Sequence, residues 1–245
     1  MTKPLSIAVV GAGIGGLAIA GLLKRAGVNV QVYEQAARFA RVGAGIQMTP
    51  NAMKVLRGIG VEQRLRETAY EPPVALSREW DTGRITNEMP IKGAMEARYG
   101  APFLFLHRAD LHSALESKVP SDIVHLEHKV AGIDAAERGV TLTFTNGVKV
   151  TADAVIGADG VHSTIREAML GPEKPRFTGR VAYRTVFPAA LMGDKQITPA
   201  RTKWWGPDRH MVVYYVTAKR DEVYFTTSTP ESAEWMTPES WSAKG

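Results

Sequence analysis

The chain has 245 residues, with 30 lysines and arginines against 25 aspartates and glutamates, a net charge of +5 with the histidines neutral, and no cysteine. Apolar residues at 44% and charged residues at 22% exclude a disordered or low-complexity chain, and the missing cysteine excludes disulfides, thiolate catalysis and thiolate metal sites while favouring a cytoplasmic address. The small basic surplus is dispersed, with no run of Lys/Arg and no nucleic-acid motif, so it reads as mild steering toward anionic small molecules.

Residues 5–10 are a short apolar β-run of the kind buried on both faces of a sheet. Gly11-Ala12-Gly13-Ile14-Gly15-Gly16 follows, and then Leu17, Ala20, Leu22 and Leu23 at the spacing of a packed helix that ends near Gly27. Residues 5–23 carry no charge and precede Lys24 and Arg25, the hydropathy of a signal peptide or membrane helix. The glycines at 11, 13, 15, 16 and 21 interrupt a β-like run, so no membrane segment is expected. Residues 28–33 are a second strand with Glu34 at its C-terminal end, completing a β-α-β unit. Residues 41–48 read as a glycine-rich loop, after which Thr49 caps a helix with Pro50 at its first position and Val55 and Leu56 inside it.

Residues 72–91 predict short strands broken at Asp81-Thr82-Gly83 and bounded by prolines. Residues 103–107 read as strand, and Ala109-Asp110-Leu111 opens a helix. Residues 123–157 hold several strands with a turn at Asn146-Gly147. The last of these runs into Gly157-Ala158-Asp159-Gly160, and residues 163–170 are helical. From about residue 178 the texture is all β, at 181–187, 202–205, 210–217 and 222–227. There are no internal repeats. The layout is interleaved: residues 1–71 and 101–177 form an α/β nucleotide-binding part, and residues 72–100 and 178–245 supply a second sheet with no closing helix.

Gly11, Gly13 and Gly16 follow a strand, open a helix and precede Glu34, the context that gives a G-x-G-x-x-G its meaning. The first glycine permits the tight turn, the second lets a pyrophosphate approach the backbone, and the third allows close helix–strand packing. Free N–H groups at the helix start face the phosphates, and Glu34 accepts from ribose hydroxyls. The fingerprint by itself fits NAD and FAD alike.

Gly157-Ala158-Asp159-Gly160 with His162, Ser163 and Arg166, the stretch His107-Arg108-Ala109-Asp110-Leu111, and Gly43-Ala44-Gly45-Ile46-Gln47 together resemble the FAD-dependent aromatic hydroxylases of the p-hydroxybenzoate and salicylate hydroxylase type. The resemblance covers essentially the whole chain. It implies an α/β fold in which a Rossmann-type, GR2-like FAD-binding domain is interleaved with a β-sheet substrate domain. It implies FAD as cofactor, NADH or NADPH as co-substrate, and O₂ as oxidant acting through a flavin hydroperoxide. The small-molecule partner would be an aromatic or heteroaromatic acid of the hydroxynicotinate or salicylate kind.

The resemblance also implies roles. Gly11, Gly13, Gly15, Gly16 and Glu34 would hold the ADP half of FAD; Arg108 would reach the pyrophosphate or ribityl region; Asp159 and Gly160 would serve both FAD and NAD(P)H; and Arg41 and Gly45 would contact the cofactor. Gln47 would stand beside the substrate, where nicotinate-hydroxylating members carry a histidine, which leaves the aromatic substrate open. His210 and Tyr214 lie four apart on a strand and share a face, with Val212 between them and Tyr215 pointing away. Tyr214 is the candidate acid/base group and His210 a substrate contact, since a phenol substrate is activated by proton removal. The family continues past residue 245 with a Gly-Asp motif and further helices, and Gly193-Asp194 lies too early to be that motif. The chain therefore reads as the first two-thirds of such an enzyme. A non-catalytic FAD-binding remnant and a nicotinamide-dependent dehydrogenase stay open beside the hydroxylase reading.

Overall fold

The computed structural model describes residues 4–40, 44–195 and 197–232. In chain order the elements are β1 (Ser6–Val10), α1 (Ile14–Arg25), β2 (Asn29–Tyr33), β3 (Gly45–Met48), α2 (Pro50–Ile59), α3 (Glu62–Thr68), β4 (Val74–Glu79), β5 (Ile85–Pro90), α4 (Ala94–Tyr99), β6 (Leu104–His107) and α5 (Arg108–Glu116). There follow β7 (Val124–His125), β8 (Val130–Ala136), β9 (Gly139–Phe144), β10 (Lys149–Ala152), β11 (Ala154–Gly157), α6 (Thr164–Leu170), β12 (Arg180–Val181), β13 (Arg184–Pro188), β14 (Arg201–Trp205), β15 (His210–Tyr215) and β16 (Glu222–Pro230). No helix among the described residues is long and apolar enough to cross a membrane; the uncharged stretch 5–23 is β1, the glycine turn and most of α1.

Packing divides the chain into two units. The first takes the residues up to Ala40, Gly58–Val61 and His112–Arg176; the second takes Glu62–Leu111, the residues from Ala44 to Arg57 and those from Phe177 onward. Residues 44–57, 62–71 and 101–111, grouped in sequence with the nucleotide part, therefore pack in the second unit.

In the first unit β1 is central in a parallel sheet of order β11-β1-β2-β7. A parallel strand in mid-sheet is covered on both faces, and Ala8, Val9 and Val10 are all buried. Helix α1 makes the crossover from β1 to β2 and buries Leu17 and Ala20. An antiparallel sheet, β10-β9-β8, supplies Val130, Leu142, Phe144 and Ala152 to a core shared with Ala8, Val10, Tyr33 and Ile165.

In the second unit a seven-stranded sheet runs β12-β16-β15-β14-β4-β5, with β13 also on β16; β14 and β4 pair in parallel and the remaining pairs are antiparallel. Its core gathers Ile91, Phe105, Tyr214, Val216 and Val223. Glu62, 8% exposed, accepts from Arg57 and Arg66, and Arg66 also binds Glu96, which ties α3 to α4.

The stretch read as a glycine-rich loop is corrected in part: residues 45–48 are strand β3, antiparallel to β6 with Gly45 opposite His107 and Gln47 opposite Phe105. Glycine is normally a poor strand residue, tolerated where another group approaches the backbone closely. A Cβ on Gly45 would lie 2.6 Å from Cγ of Tyr224. Helices α3 and α4 have no counterpart in the sequence reading. The first buries only Glu62 and Leu65, and the second is a short piece held between Gly93 and Gly100, at φ +72° and +73°. Neither carries the apolar stripe by which a helix is recognised.

Candidate active site

The glycine turn after β1 is built by contacts that tolerate no side chain at two positions. Gly11, at φ +98°, has Ala158 O at 2.4 Å from where its Cβ would stand, and a Cβ on Gly16 would lie 1.8 Å from Gly11 O. Gly13 and Gly15 differ: a Cβ there meets nothing within 4 Å. Gly13 is the N-cap of α1, without a side-chain cap and without an acid in the first turn. A twelve-residue helix whose start carries no side-chain cap and no acid is the arrangement that receives a phosphate. His112 braces the turn from behind, Nε2 donating to Ala12 O at 2.9 Å.

Glu34 stands just after β2 with both carboxylate oxygens engaged. Ala12 N–H donates to Oε2 at 2.7 Å and Ala36 N–H to Oε1 at 2.9 Å. These bonds orient the carboxylate beside the glycine turn, and each oxygen retains a lone pair for a hydroxyl. Open space at Gly13 and Gly15, a helix start without a side-chain cap and an oriented acid together fit the ADP portion of FAD.

Asp159 and Gly160 follow β11. Asp159 accepts from Ser163 Oγ at 2.5 Å and from Ile165 N–H at 3.2 Å, while Ser163 caps α6 by accepting from Arg166 N–H at 2.9 Å. Gly160 turns the chain at φ +85°. In this arrangement Asp159 holds the start of α6, and a Cβ on Gly160 would meet open space. Arg41 lies outside the described residues. Arg108 opens α5, its N–H donating to Ala44 O at 2.8 Å.

In the second unit the structure brings Gln47 and Tyr214 together. Tyr214 is 2% exposed, its ring edge-on to Phe105 and tilted against Tyr224 at centroid distances of 5.0 and 5.1 Å. Its hydroxyl lies 2.9 Å from where a Gly45 Cβ would stand. Burial, then the neighbouring Tyr224, pushes the phenol far above the ordinary tyrosine value; the Gln47 hydrogen bond and Arg201 oppose this without cancelling it. Gln47 thus stands within reach of the Tyr214 hydroxyl.

His210 sits four residues away on the same strand face, opposite Trp205 at a ring distance of 5.3 Å. Burial, then Lys203, Arg180 and Arg201, holds its imidazole below the usual histidine value. Four strand residues separate Cα atoms by about 13 Å, so a single small ring meets both His210 and Tyr214 only if the side chains lean together. Tyr215 faces the other way, edge-on to Tyr70.

Arg201 was not singled out from the sequence. Strand alternation puts it on one face with Lys203 and Trp205, and that i, i+2, i+4 pattern is the signal that could have found it.

Residues 5–242 match the family model described as FAD binding domain. The chain is 43% identical over 96% of its length to 6-hydroxynicotinate 3-monooxygenase of Bordetella bronchiseptica, covering 61% of that protein. It is 42% identical over 98% of its length to the enzyme of that name from Pseudomonas fluorescens, covering 63%. The chain thus spans about three-fifths of the length of these relatives. Among solved structures, Klebsiella pneumoniae HpxO complexed with FAD and uric acid superimposes with a TM-score of 0.82 at 25% identity, over 96% of this chain and 58% of that one.

Proposed function

We propose that this chain, which belongs to the FAD binding domain family, acts as an FAD-dependent, NAD(P)H-consuming monooxygenase that hydroxylates an aromatic or heteroaromatic acid. The observation that carries the reading is the Gln47–Tyr214 pair. A buried phenol, with the Gln47 side chain beside it, stands on the strand face of a chain that resembles 6-hydroxynicotinate 3-monooxygenases.

The first unit takes the dinucleotide. The helix N-terminus at Gly13 receives the pyrophosphate, and Glu34 accepts from the ribose hydroxyls. Arg41, Gly45, Arg108, Asp159 and Gly160 are assigned further cofactor contacts. FAD, when bound, supplies the activation of O₂ and the transfer of one oxygen atom.

The second unit takes the substrate. With its pKa pushed up, Tyr214 stays protonated across the working pH range and serves as a hydrogen-bond donor. Gln47 stands beside the phenol, and the phenolic hydrogen is assigned to the ring oxygen of the substrate. That bond strengthens as charge develops on the substrate oxygen, which is how a fixed donor lowers a barrier. His210, its imidazole held below the usual value by burial and then by its cationic neighbours, supplies a second polar contact. The aromatic wall of Phe105, Tyr214 and Tyr224 excludes water from this end.

The test is O₂-dependent oxidation of NADH or NADPH by the FAD-saturated protein, with and without 6-hydroxynicotinate or salicylate. Stimulation by an aromatic acid with a hydroxylated product supports the reading. FAD binding without any response to either acid refutes it.

A further inference from the structure

The acid assigned to the ribose is held by the backbone of two histidines. Glu34 N–H donates to His125 O at 2.9 Å, and His128 N–H donates to Glu34 O at 2.8 Å. One step further along, Glu127 N–H donates to Ala36 O at 3.2 Å. The residue before the acid extends the chain of bonds to the glycine turn, since Tyr33 O accepts from Gly11 N–H at 2.7 Å. The loop that follows β7 therefore fixes Glu34, and the residue beside Glu34 fixes Gly11.

The same loop lays both imidazoles on Tyr33. The His125 ring stacks on the Tyr33 ring at 5.0 Å with 18° between the planes, and His128 is tilted against it at 5.7 Å. The two imidazoles stand 5.7 Å apart, and Phe144 of β9 closes the cluster at 4.9 Å from Tyr33 and 5.0 Å from His128. Each imidazole already gives one N–H to an oxygen: His125 Nε2 donates to Gln31 Oε1 at 2.7 Å, and His128 Nδ1 to Leu126 O at 2.6 Å. From β2 the pair faces the Gln31 amide and the Tyr33 phenol, which burial pushes up and so keeps neutral; from β9 it faces only the Phe144 ring. The Glu34 carboxylate is turned to the N–H groups of Ala12 and Ala36, and Glu127 and Lys129 are exposed. Burial, then His128, holds the His125 imidazole below the ordinary histidine value, with no acid to offset either cause.

Two imidazolium ions this close, half out of water and without a carboxylate beside them, repel each other. The loop relieves the repulsion by leaving Tyr33, and the backbone bonds that hold Glu34 leave with it. We propose that His125 and His128 are positioning residues for the ribose acceptor Glu34, and that their protonation releases FAD as the medium turns acid. This rests on the reading of Glu34 as the ribose acceptor. The direction in pH follows from proton counting. The folded His125 value lies below the ordinary 6.5, so the closed loop binds fewer protons than the loosened one. The hold on FAD is complete above that ordinary value and is lost as pH falls through the folded one.

The experiment is FAD titration of the FAD-free protein by quenching of flavin fluorescence, from about pH 8 to about pH 5.5, a range in which FAD itself takes up no proton. The wild type is compared with His125→Gln, His128→Asn, the double variant and Glu34→Gln. Each carboxamide at 125 or 128 keeps the N–H that the imidazole donates and cannot be protonated. The wild type is expected to bind FAD about tenfold more weakly at the acid end, the effect of one proton whose pKa differs by one unit between the two states. The double variant changes by less than about twofold over the same range, and each single variant falls between. In Glu34→Gln, which binds more weakly throughout, the acid effect shrinks, because the histidines act through the residue that has been altered. Melting curves without FAD at the upper pH show which variants are folded, and the single variants carry the comparison where the double variant is not. Equal wild-type affinity at both ends overturns the proposal and leaves the cofactor reading intact. So does an acid effect that persists undiminished in the folded histidine variants, which would move the titrating group to His112 at the glycine turn. An undiminished acid effect in Glu34→Gln shows that the histidines do not act through the ribose acceptor and overturns the proposal too. A wild type that binds no FAD at the upper pH overturns both readings.

Discussion

Replacing Glu34 with glutamine keeps the shape of the side chain and removes its charge and one acceptor. In the wild type Oε2 accepts from Ala12 N–H at 2.7 Å and Oε1 from Ala36 N–H at 2.9 Å. A carboxamide has one oxygen; its NH₂ must face the other backbone donor, so one bond is lost and two donors oppose each other. A hydrogen bond to a charged group contributes about 1.5–3 kcal/mol. At roughly 2–4 °C per kcal/mol for a chain of this size, the FAD-free protein is expected to melt about 3–12 °C lower. The ribose hydroxyls then meet a neutral amide whose oxygen is already in use, and FAD affinity falls by about tenfold to a hundredfold. The assays are thermal melting by circular dichroism without FAD, and FAD titration followed by quenching of flavin fluorescence at a temperature where both proteins are folded. A lowered melting temperature with unchanged FAD affinity would show that Glu34 only braces the glycine turn and that the ribose is bound elsewhere. No change in either measurement would refute the reasoning altogether.

The glycine turn predicts opposite phenotypes for neighbouring residues. Gly16→Ala forces a Cβ to within 1.8 Å of Gly11 O, so the FAD-free protein is expected to lose about 1–3 kcal/mol or more in a denaturant titration. Gly13→Val places its side chain in open space, so the FAD-free protein keeps its melting temperature within a few degrees while flavin titration shows FAD affinity lost; retained affinity would move the dinucleotide elsewhere. Gly45→Ala drives a Cβ to 2.6 Å from the Tyr224 ring and 2.9 Å from the Tyr214 hydroxyl, and is expected to cost about 1–3 kcal/mol in the same titration. Tyr214→Phe is expected to leave NAD(P)H-driven flavin reduction intact in stopped-flow traces and to slow hydroxylation by about 10²–10³-fold, the cost of removing one fixed donor. The folded-state phenol is raised above its unfolded value of 10.0, so its contribution is present below pH 10 and is lost as pH rises beyond it, because the unfolded state ionises first. Melting curves between pH 9 and 11 should therefore fall more steeply for the wild type than for Tyr214→Phe.

How far the sequence carried depends on the range of the interaction. The β1-α1-β2 unit was legible because its logic is local: an apolar run, a glycine turn, a helical stripe and an acid follow one another within 34 residues. The shared face of His210 and Tyr214 was legible too, since strand alternation is a property of the backbone. Which glycines were structural was not legible. Gly11 and Gly16 are held by the Ala158 and Gly11 carbonyls, and Gly13 by nothing, and the first of these contacts spans 147 residues of chain. Residues 45–48 read as loop because glycine lowers strand propensity, yet they pair with β6 because the Tyr224 ring occupies the space a side chain would fill. Composition shows a cation at 201 and an amide at 47. Only the tertiary structure sets Arg201 in a half-buried place without an acid and brings the Gln47 amide to the Tyr214 hydroxyl. Electrostatic cost depends on desolvation and on who stands opposite, and neither is written in the order of residues along one strand.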